Sequence, residues 1–310
     1  MTNRVFPIAD GHCDFLYGAM QYGYDIRTLK RDQTIHLPYM EGGNVALQCF
    51  AAWVDSTLKT PPLQQCMTMI ERFYNMLDEN PELVPFTGDF RPDSGKIAAI
   101  LTIEGGEAME GSLAMLRIYK RLGVRALTFT WNENNELAGA ANARQSRGLT
   151  GLGKEMLAEM NRLGIALDVS HLSDAGIRDA LKLSSRPIYA SHSNARAIKN
   201  VPRCLPDELI LGIAEQGGLI GVNFYPPQLC DGEAGVADVV RHIMHIVGIG
   251  GVDCCAFGSD FDGMQRYPRD IRNSLDYQKI CRALVQAGFT EEQTERIAYW
   301  NLHRFFAQFI

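Results

Sequence analysis

An α/β protein closed into a (β/α)8 barrel, the TIM-barrel architecture, is the fold this sequence predicts, and three observations lead to it. Eight short apolar or β-branched runs recur along the chain, each followed by a polar cluster and then by a longer stretch of helical periodicity. The runs are apolar almost throughout instead of alternating, which is the pattern of parallel strands buried on both faces. Eight such units over 310 residues, roughly forty residues each, suit a closed barrel better than an open doubly wound sheet.

In chain order the runs are RVFPIADGH, VALQCFAAW, KIAAILTIEGG, VRALTFTWN, GIALDVSH, RPIYASHSN, GLIGVNFY and CCAFGSDFDG. LQQCMTMIERFYNMLDEN follows the second and SLAMLRIYKRLG the third. GKEMLAEMNRLG follows the fourth, and SDAGIRDALKL the fifth, with Ser173 as its expected N-cap. PDELILGIAEQGG follows the sixth, with Pro206 suited to a first turn. VADVVRHIMHIVG follows the seventh. After the eighth come IRNSLDYQKICRALVQAG and TEEQTERIAYWNLHRFFAQF, the latter capped by Thr290. No linker or low-complexity segment interrupts the series, so one domain over residues 1–310 is expected.

Composition narrows the function. The chain is 46% hydrophobic and 21% charged with a formal net charge of −6, and no dense Lys/Arg block appears, which argues against a nucleic-acid partner. No run approaches the length of a membrane span. The opening MTNRVFPIADGH has no apolar signal core and the closing NLHRFFAQFI no lipid-anchor pattern, so a cytoplasmic protein without a membrane anchor is the expectation. Eight cysteines at irregular spacing, mostly inside apolar stretches, read as reduced buried thiols. Neither G-x-G-x-x-G nor a P-loop occurs; GLTGLGKE is glycine-rich with the wrong spacing and reads as a loop entering a helix.

A barrel enzyme carries its chemistry at the C-terminal ends of its strands, and unusual polar residues gather there. Run one ends in His12 and Asp14, run three in Glu104, run five in His171, run six in His192, and run eight in Asp260 and Asp262. On an extended chain His12 and Asp14, two positions apart, would share a face. Imidazoles and carboxylates together suit zinc and similar divalent ions. Five ligands exceed the need of one catalytic ion, so two ions bridged by Glu104 explain the set better. A water between them would be acidified to a hydroxide nucleophile, with Asp260 as general base and later acid. Asp260 is preferred to Asp262 because it comes first after the apolar run. Asp168 is expected in a supporting role behind the ligands. His242 and His245, on an outer helix, read as packing residues, as do His36 and His303.

At these residues the chain resembles the membrane dipeptidase (renal dipeptidase) family of zinc peptidases, within the amidohydrolase-like barrels. DGHCD, IEGGE, LTFTWN, LDVSH, ASHSNARA, PRCLPDE, GVNFY and GSDFDG appear in family order over essentially the whole chain. The resemblance implies two Zn2+ per chain, one held by His12 and Asp14 and the other by His171 and His192, with Glu104 bridging and Asp260 catalytic. It implies that Arg203 grips the terminal carboxylate of the substrate, a task fitted to a bidentate guanidinium, and that Tyr225 lines the pocket. It also implies small dipeptide substrates, tolerance of a D-residue at the second position, and pairing as a homodimer.

One position departs from the family. Trp131 stands where relatives of the renal enzyme have a substrate-binding histidine, and an indole offers only an N–H donor. Asn132 or Asn134 would then supply the polar contact, or oxyanion stabilisation would fall to the metals. The expected activity is zinc-dependent hydrolysis of dipeptides. The competing enzyme reading is a binuclear-metal amidohydrolase acting on an N-acyl amino acid, lactone or phosphoester; a neutral substrate would have no use for Arg203. The competing non-enzyme reading is an idle metal-binding scaffold, against which the complete ligand set speaks.

Overall fold

The apolar runs form strands, nine in all, in the computed structural model, which describes residues 4–30 and 32–310. They are β1 (Ile8–Asp10), β2 (Val45–Trp53), β3 (Leu83–Pro85), β4 (Ile97–Glu104), β5 (Ala126–Thr128), β6 (Ala166–Asp168), β7 (Tyr189–Ala190), β8 (Leu219–Val222) and β9 (Cys255–Phe257). All eight expected runs carry a strand. The pairings are parallel throughout, and the β2–β4 ladder closes the ring β1-β2-β4-β5-β6-β7-β8-β9. This is a (β/α)8 barrel.

The extra strand, β3, pairs with the N-terminal half of β4, from Leu83↔Ile97 to Pro85↔Ala99. Its three residues end on a proline, which edge strands tolerate because the missing N–H faces away from the ladder. Nothing so short stands out by periodicity.

The inside of the barrel is built from small residues. Ala9, Ala98, Ala126, Ala166 and Ala256 belong to one apolar cluster with Cys49, Ile100, Tyr189 and the C-terminal Tyr299, Leu302, Phe305, Phe306 and Phe309. Alanines on the strands leave room for Tyr189 and for the aromatic face of the last helix, which closes the bottom of the barrel. The alternate positions Ile97, Leu101, Ile103, Leu127, Leu167 and Ile220 pack outward under the helices. Side chains of a strand alternate in direction, so Glu104, in step with Ala98 and Ile100, is carried to the barrel axis. Trp53 in step with Cys49, and Asp168 in step with Ala166, follow the same rule.

Helix starts conform to cap chemistry. Ser173 Oγ accepts from Gly176 N at 2.9 Å at the head of Asp174–Leu183. Thr290 and Gln293 cap each other reciprocally before Glu291–Glu295. Pro206, expected in a first turn, is instead the N-cap of Asp207–Glu215. The segment 271–288 becomes α-helical only from Tyr277, after a 3-10 turn over Ser274–Asp276. The last helix passes through a π-helical stretch at Arg296–Trp300. Short helices at Phe15–Tyr22, Leu37–Gly42 and Pro226–Leu229 lie where no periodicity is long enough to announce them.

The eight cysteines are unpaired, and all but the half-buried Cys230 are buried. No helix among the described residues is long and apolar enough to cross a membrane.

Candidate metal centre

Glu104 is the hub of the strand ends. Its Oε2 lies 3.3 Å from His12 Nε2, while its Oε1 lies 3.0 Å from His171 Nε2 and 3.6 Å from His192 Nε2. One carboxylate thus addresses two histidine groups with different oxygens, which is the disposition of a bridge. His12 Nε2 is also 3.7 Å from Asp14 Oδ2. Ligand atoms of His12, Asp14 and Asp260 lie within 4.8 Å of one another, and so do those of Glu104, His171 and His192.

The route to this cluster differs from strand geometry in one respect. β1 ends at Asp10, and Asp14 is the N-cap of the helix Phe15–Tyr22 with φ −101° and ψ 22°. His12 and Asp14 therefore meet through a turn, not along one face of an extended strand. His171 and Asp260 also lie beyond their strands, both in the left-handed region, at φ 68° and 66°. Such backbone is rare away from glycine and concentrates at functional sites. Gly263 makes the carboxylate side possible: a Cβ there would stand 2.1 Å from Asp14 Oδ2 and 2.6 Å from Asp260 Oδ1.

The cluster demands a cation. His12, Asp14, Glu104, His171 and His192 are buried, and His12 Nε2, Asp14 Oδ1 and Glu104 Oε1 have no hydrogen-bond partner. Burial opposes a charge on His12, yet Glu104 and Asp14 outweigh it and raise its pKa well above the usual value. Burial likewise works against ionised Glu104, but His12 and His171 hold it well below the carboxylate range. His171 is pushed down to about 4, by burial and then by Arg203, so it stays neutral. His192 is lowered by burial and by His12. The neutral imidazoles of His171 and His192 beside ionised Glu104, with unsatisfied atoms turned inward, fit one or two divalent ions.

Asp168 also comes within ligand range of His12 and His192. Its oxygens are already taken: Oδ1 accepts from Ser170 N and Ser191 N, each at 2.9 Å, and Oδ2 from Thr128 Oγ1 at 2.9 Å. It ties β5 to the turns that carry His171 and His192, the supporting position expected of it. Asp10 does similar work with Ser259 and Gln48. Asp262 is turned to Thr34, accepting from its N–H and its hydroxyl, the latter at 2.7 Å. Asp260 faces the cluster, its Oδ2 accepting from Asn223 Nδ2 at 3.0 Å; burial, reinforced by Asp14 and Glu104, pushes its carboxyl up to about 7.

Arg203 is 6% exposed, and its contact to the site is Nη2 donating to the His192 carbonyl at 3.3 Å, while Nε has no partner. No carboxylate among the described residues pairs with it, although its charge depresses both His171 and His192. A buried guanidinium left this unsatisfied keeps donors free for an anion. Trp131 packs on Trp53 at 4.9 Å between ring centroids and lies 6.2 Å from His171. Asn134 is spent on its own loop, with Nδ2 donating to Gln145 O and Oδ1 accepting from Ala140 N. Asn132 Oδ1 is directed at His171 Nδ1, at 3.2 Å. Tyr225 is half-buried against the main apolar core and caps the helix Pro226–Leu229.

Four residues of the site escape the sequence reading: Trp53, Ser191, Asn223 and Gly263. The first three close apolar runs, so the strand-end rule that found Glu104 extends to them. The packing histidines are as expected: His242 accepts from Ala195 N, His245 pairs with Asp207, His303 with Phe90 O and His36 with Arg27 O.

The chain is similar to several known proteins. A family model described as membrane dipeptidase (peptidase family M19) matches residues 2–309. Dipeptidase 3 of Mus musculus is 30% identical over 320 residues, covering 98% of this chain, which spans 65% of that protein's length. An uncharacterised dipeptidase of Schizosaccharomyces pombe is 36% identical over 220 residues, or 68% of this chain and 53% of its own. Among solved structures, a metallopeptidase of Rhodobacter sphaeroides liganded with a phosphinate mimic of the dipeptide L-Ala-D-Ala superposes with a TM-score of 0.92. It is 26% identical and covers 99% of this chain and all of its own.

Proposed function

From the chain's membership of the membrane dipeptidase family, peptidase family M19, we propose that it is a metal-dependent hydrolase that cleaves dipeptides. The observation that carries this reading is the divided Glu104 carboxylate, with His12 on one oxygen and His171 and His192 on the other. His12 and Asp14 would hold one ion and His171 and His192 a second, with Glu104 shared and zinc the metal that the donor set suits. Bound there, such ions would acidify water and draw electron density from a carbonyl.

The remaining steps belong to the chain's own groups. Arg203 takes the free carboxylate of the substrate, which fixes the peptide's direction and disfavours longer chains. Asp260, oriented by Asn223, removes the proton from the attacking water and returns it to the departing amine. The Trp53–Trp131 pair sets apolar surface beside His171. Acceptance of a D-residue at the C-terminal position belongs to the same reading, supported by the L-Ala-D-Ala mimic held by the Rhodobacter relative. So do pairing as a homodimer and a cytoplasmic location, to which unpaired thiols are suited.

The test is metal analysis of the purified chain together with hydrolysis of a panel of L,L- and L,D-dipeptides, N-acyl amino acids, lactones and phosphoesters. Two divalent ions per chain and turnover confined to free dipeptides are expected. Turnover of lactones or phosphoesters alone would replace the substrate assignment, and a chain that takes up no metal would overturn the whole reading.

A further inference from the structure

His171 is held by a single segment. It stands at φ 68° beyond β6, so no strand ladder sets the direction of its ring. Its carbonyl accepts from Ala141 N at 2.7 Å and from Thr130 Oγ1 at 3.3 Å. Its ring Nδ1 lies 3.2 Å from Asn132 Oδ1, and that oxygen also accepts from Asn142 Nδ2 at 2.9 Å. Thr130, Asn132, Ala141 and Asn142 all belong to the loop that follows β5. One loop therefore fixes both backbone and imidazole.

An amide oxygen accepts and cannot donate, so its contact places the ring proton on Nδ1 and leaves Nε2 bare. Nε2 is the atom turned to the centre, 3.0 Å from Glu104 Oε1 and 3.0 Å from His192 Nε2. We propose that Asn132, seated by Asn142, is a positioning residue that sets the tautomer and aim of His171 and so governs the affinity of the ion site formed by Glu104, His171 and His192. This rests on the metal-centre reading above and assigns Asn132 to a ligand where the sequence suggested the substrate. Were both amides reversed, Nδ2 would face the ring and the proton would sit on Nε2, against the cation. A carboxylate at position 132 has no such reversed state, which makes Asn132→Asp the rescue variant.

The experiment compares the wild-type chain with Asn132→Leu, Asn132→Asp and Asn142→Ala. Each is stripped with chelator and titrated with Zn2+ against a chromophoric competitor; bound metal is counted by mass spectrometry, and 15N spectra of labelled histidine report the tautomer. Wild type is expected to take two ions. Asn132→Leu should keep one at wild-type affinity and bind the other about 10- to 100-fold more weakly, the usual loss when a ligand's orienting partner is removed. Asn132→Asp should restore the second site with an Nδ1–H signal. Two ions at wild-type affinity in Asn132→Leu, or an Asn132→Asp chain as weak as Asn132→Leu, overturns the inference. Should Asn132→Leu not fold, Asn142→Ala decides: weakening confined to one ion supports the role, and unchanged affinity for both overturns it. A wild-type chain that takes fewer than two ions fails the metal-centre reading itself, which the parallel titration distinguishes.

Discussion

The Nε2 atoms of His171 and His192 face each other at 3.0 Å beside an ionised carboxylate oxygen. With the His171 proton on Nδ1 and that of His192 likewise on Nδ1, toward Ser191 Oγ at 2.7 Å, this arrangement would be repulsive until a cation sits among the lone pairs. Ion binding is therefore expected to stabilise the fold. A ligand at one hundred times its dissociation constant adds about 2.7 kcal/mol per site, which thermal unfolding of stripped and Zn2+-loaded protein would read as a higher melting temperature. Acidification should release the ions in two steps. His12, whose proton affinity is raised by Glu104 and Asp14, yields to protons first, whereas His171, neutral down to about 4, holds its ion longer. Release of both ions in one step would contradict that order.

Asp260 supplies a second prediction. A general base must be ionised, so activity is lost as pH falls through its pKa. Burial, with Asp14 and Glu104 adding to it, places that pKa at about 7, and cations bound alongside would draw it lower. The acidic limb of the rate profile is expected at or below neutrality. Asn at position 260 keeps an acceptor but cannot carry the proton, so Asp260→Asn should lower kcat by about 10²- to 10⁴-fold and remove the limb. Metal content should stay at the wild-type level. Near-normal turnover in that variant would remove Asp260 from its assigned role.

Arg203 is enclosed, with Nε unsatisfied and Nη2 donating to the His192 carbonyl. Truncating one member of a buried charge pair costs about 2–5 kcal/mol of binding, so Arg203→Met should lower kcat/KM for dipeptides by roughly 30-fold or more. The same variant should lose discrimination between a dipeptide and its C-terminal amide. The unliganded fold is expected to gain stability, because an uncompensated buried charge has been removed. A substrate effect without loss of discrimination would place the carboxylate contact elsewhere.

The barrel and its cluster of imidazoles and carboxylates are legible because both follow from strand arithmetic. An apolar run buried on both faces is a parallel strand, and Glu104, His171 and His192 stand where such runs stop. What lay beyond reach depends on turns. Nothing in DGHCD reveals that Asp14 stands at the start of a helix; its spacing from His12 suggests strand alternation, whereas the two meet through a turn. Asn132 and Asn134 are equivalent by spacing, yet one faces His171 and the other ties its own loop, a choice made by the path of the loop after β5. Gly263 could be any loop glycine until the carboxylates it admits are placed. Arg203 and Tyr225 stand out by family resemblance alone, since a single arginine or tyrosine in a polar segment carries no pattern of its own.

Asp10 and Asp168 separate two kinds of buried carboxylate, and the difference can be measured. Asp168 Oδ1 receives two backbone N–H groups and Oδ2 receives the Thr128 hydroxyl. Asparagine there could keep its oxygen on the two N–H groups and turn its amide toward a hydroxyl that accepts equally well. Asp10 Oδ1 receives Ser259 N, but Oδ2 receives both Ser259 Oγ and the Gln48 amide, which is itself anchored to Cys49 O. Asparagine at position 10 would set one NH2 group against another, and reversing Gln48 would sacrifice its bond to Cys49. Asp10→Asn should therefore destabilise the chain more than Asp168→Asn, by about one net hydrogen bond, ~1 kcal/mol. Asp168→Ala, which strands two N–H groups, should cost several-fold more than Asp168→Asn, about 1–3 kcal/mol for each orphaned group. Denaturant unfolding of the stripped proteins at one pH gives the order directly. Equal costs for the two asparagine variants would mean that the donor count at Asp10 does not determine how its carboxylate holds β1 to its neighbours.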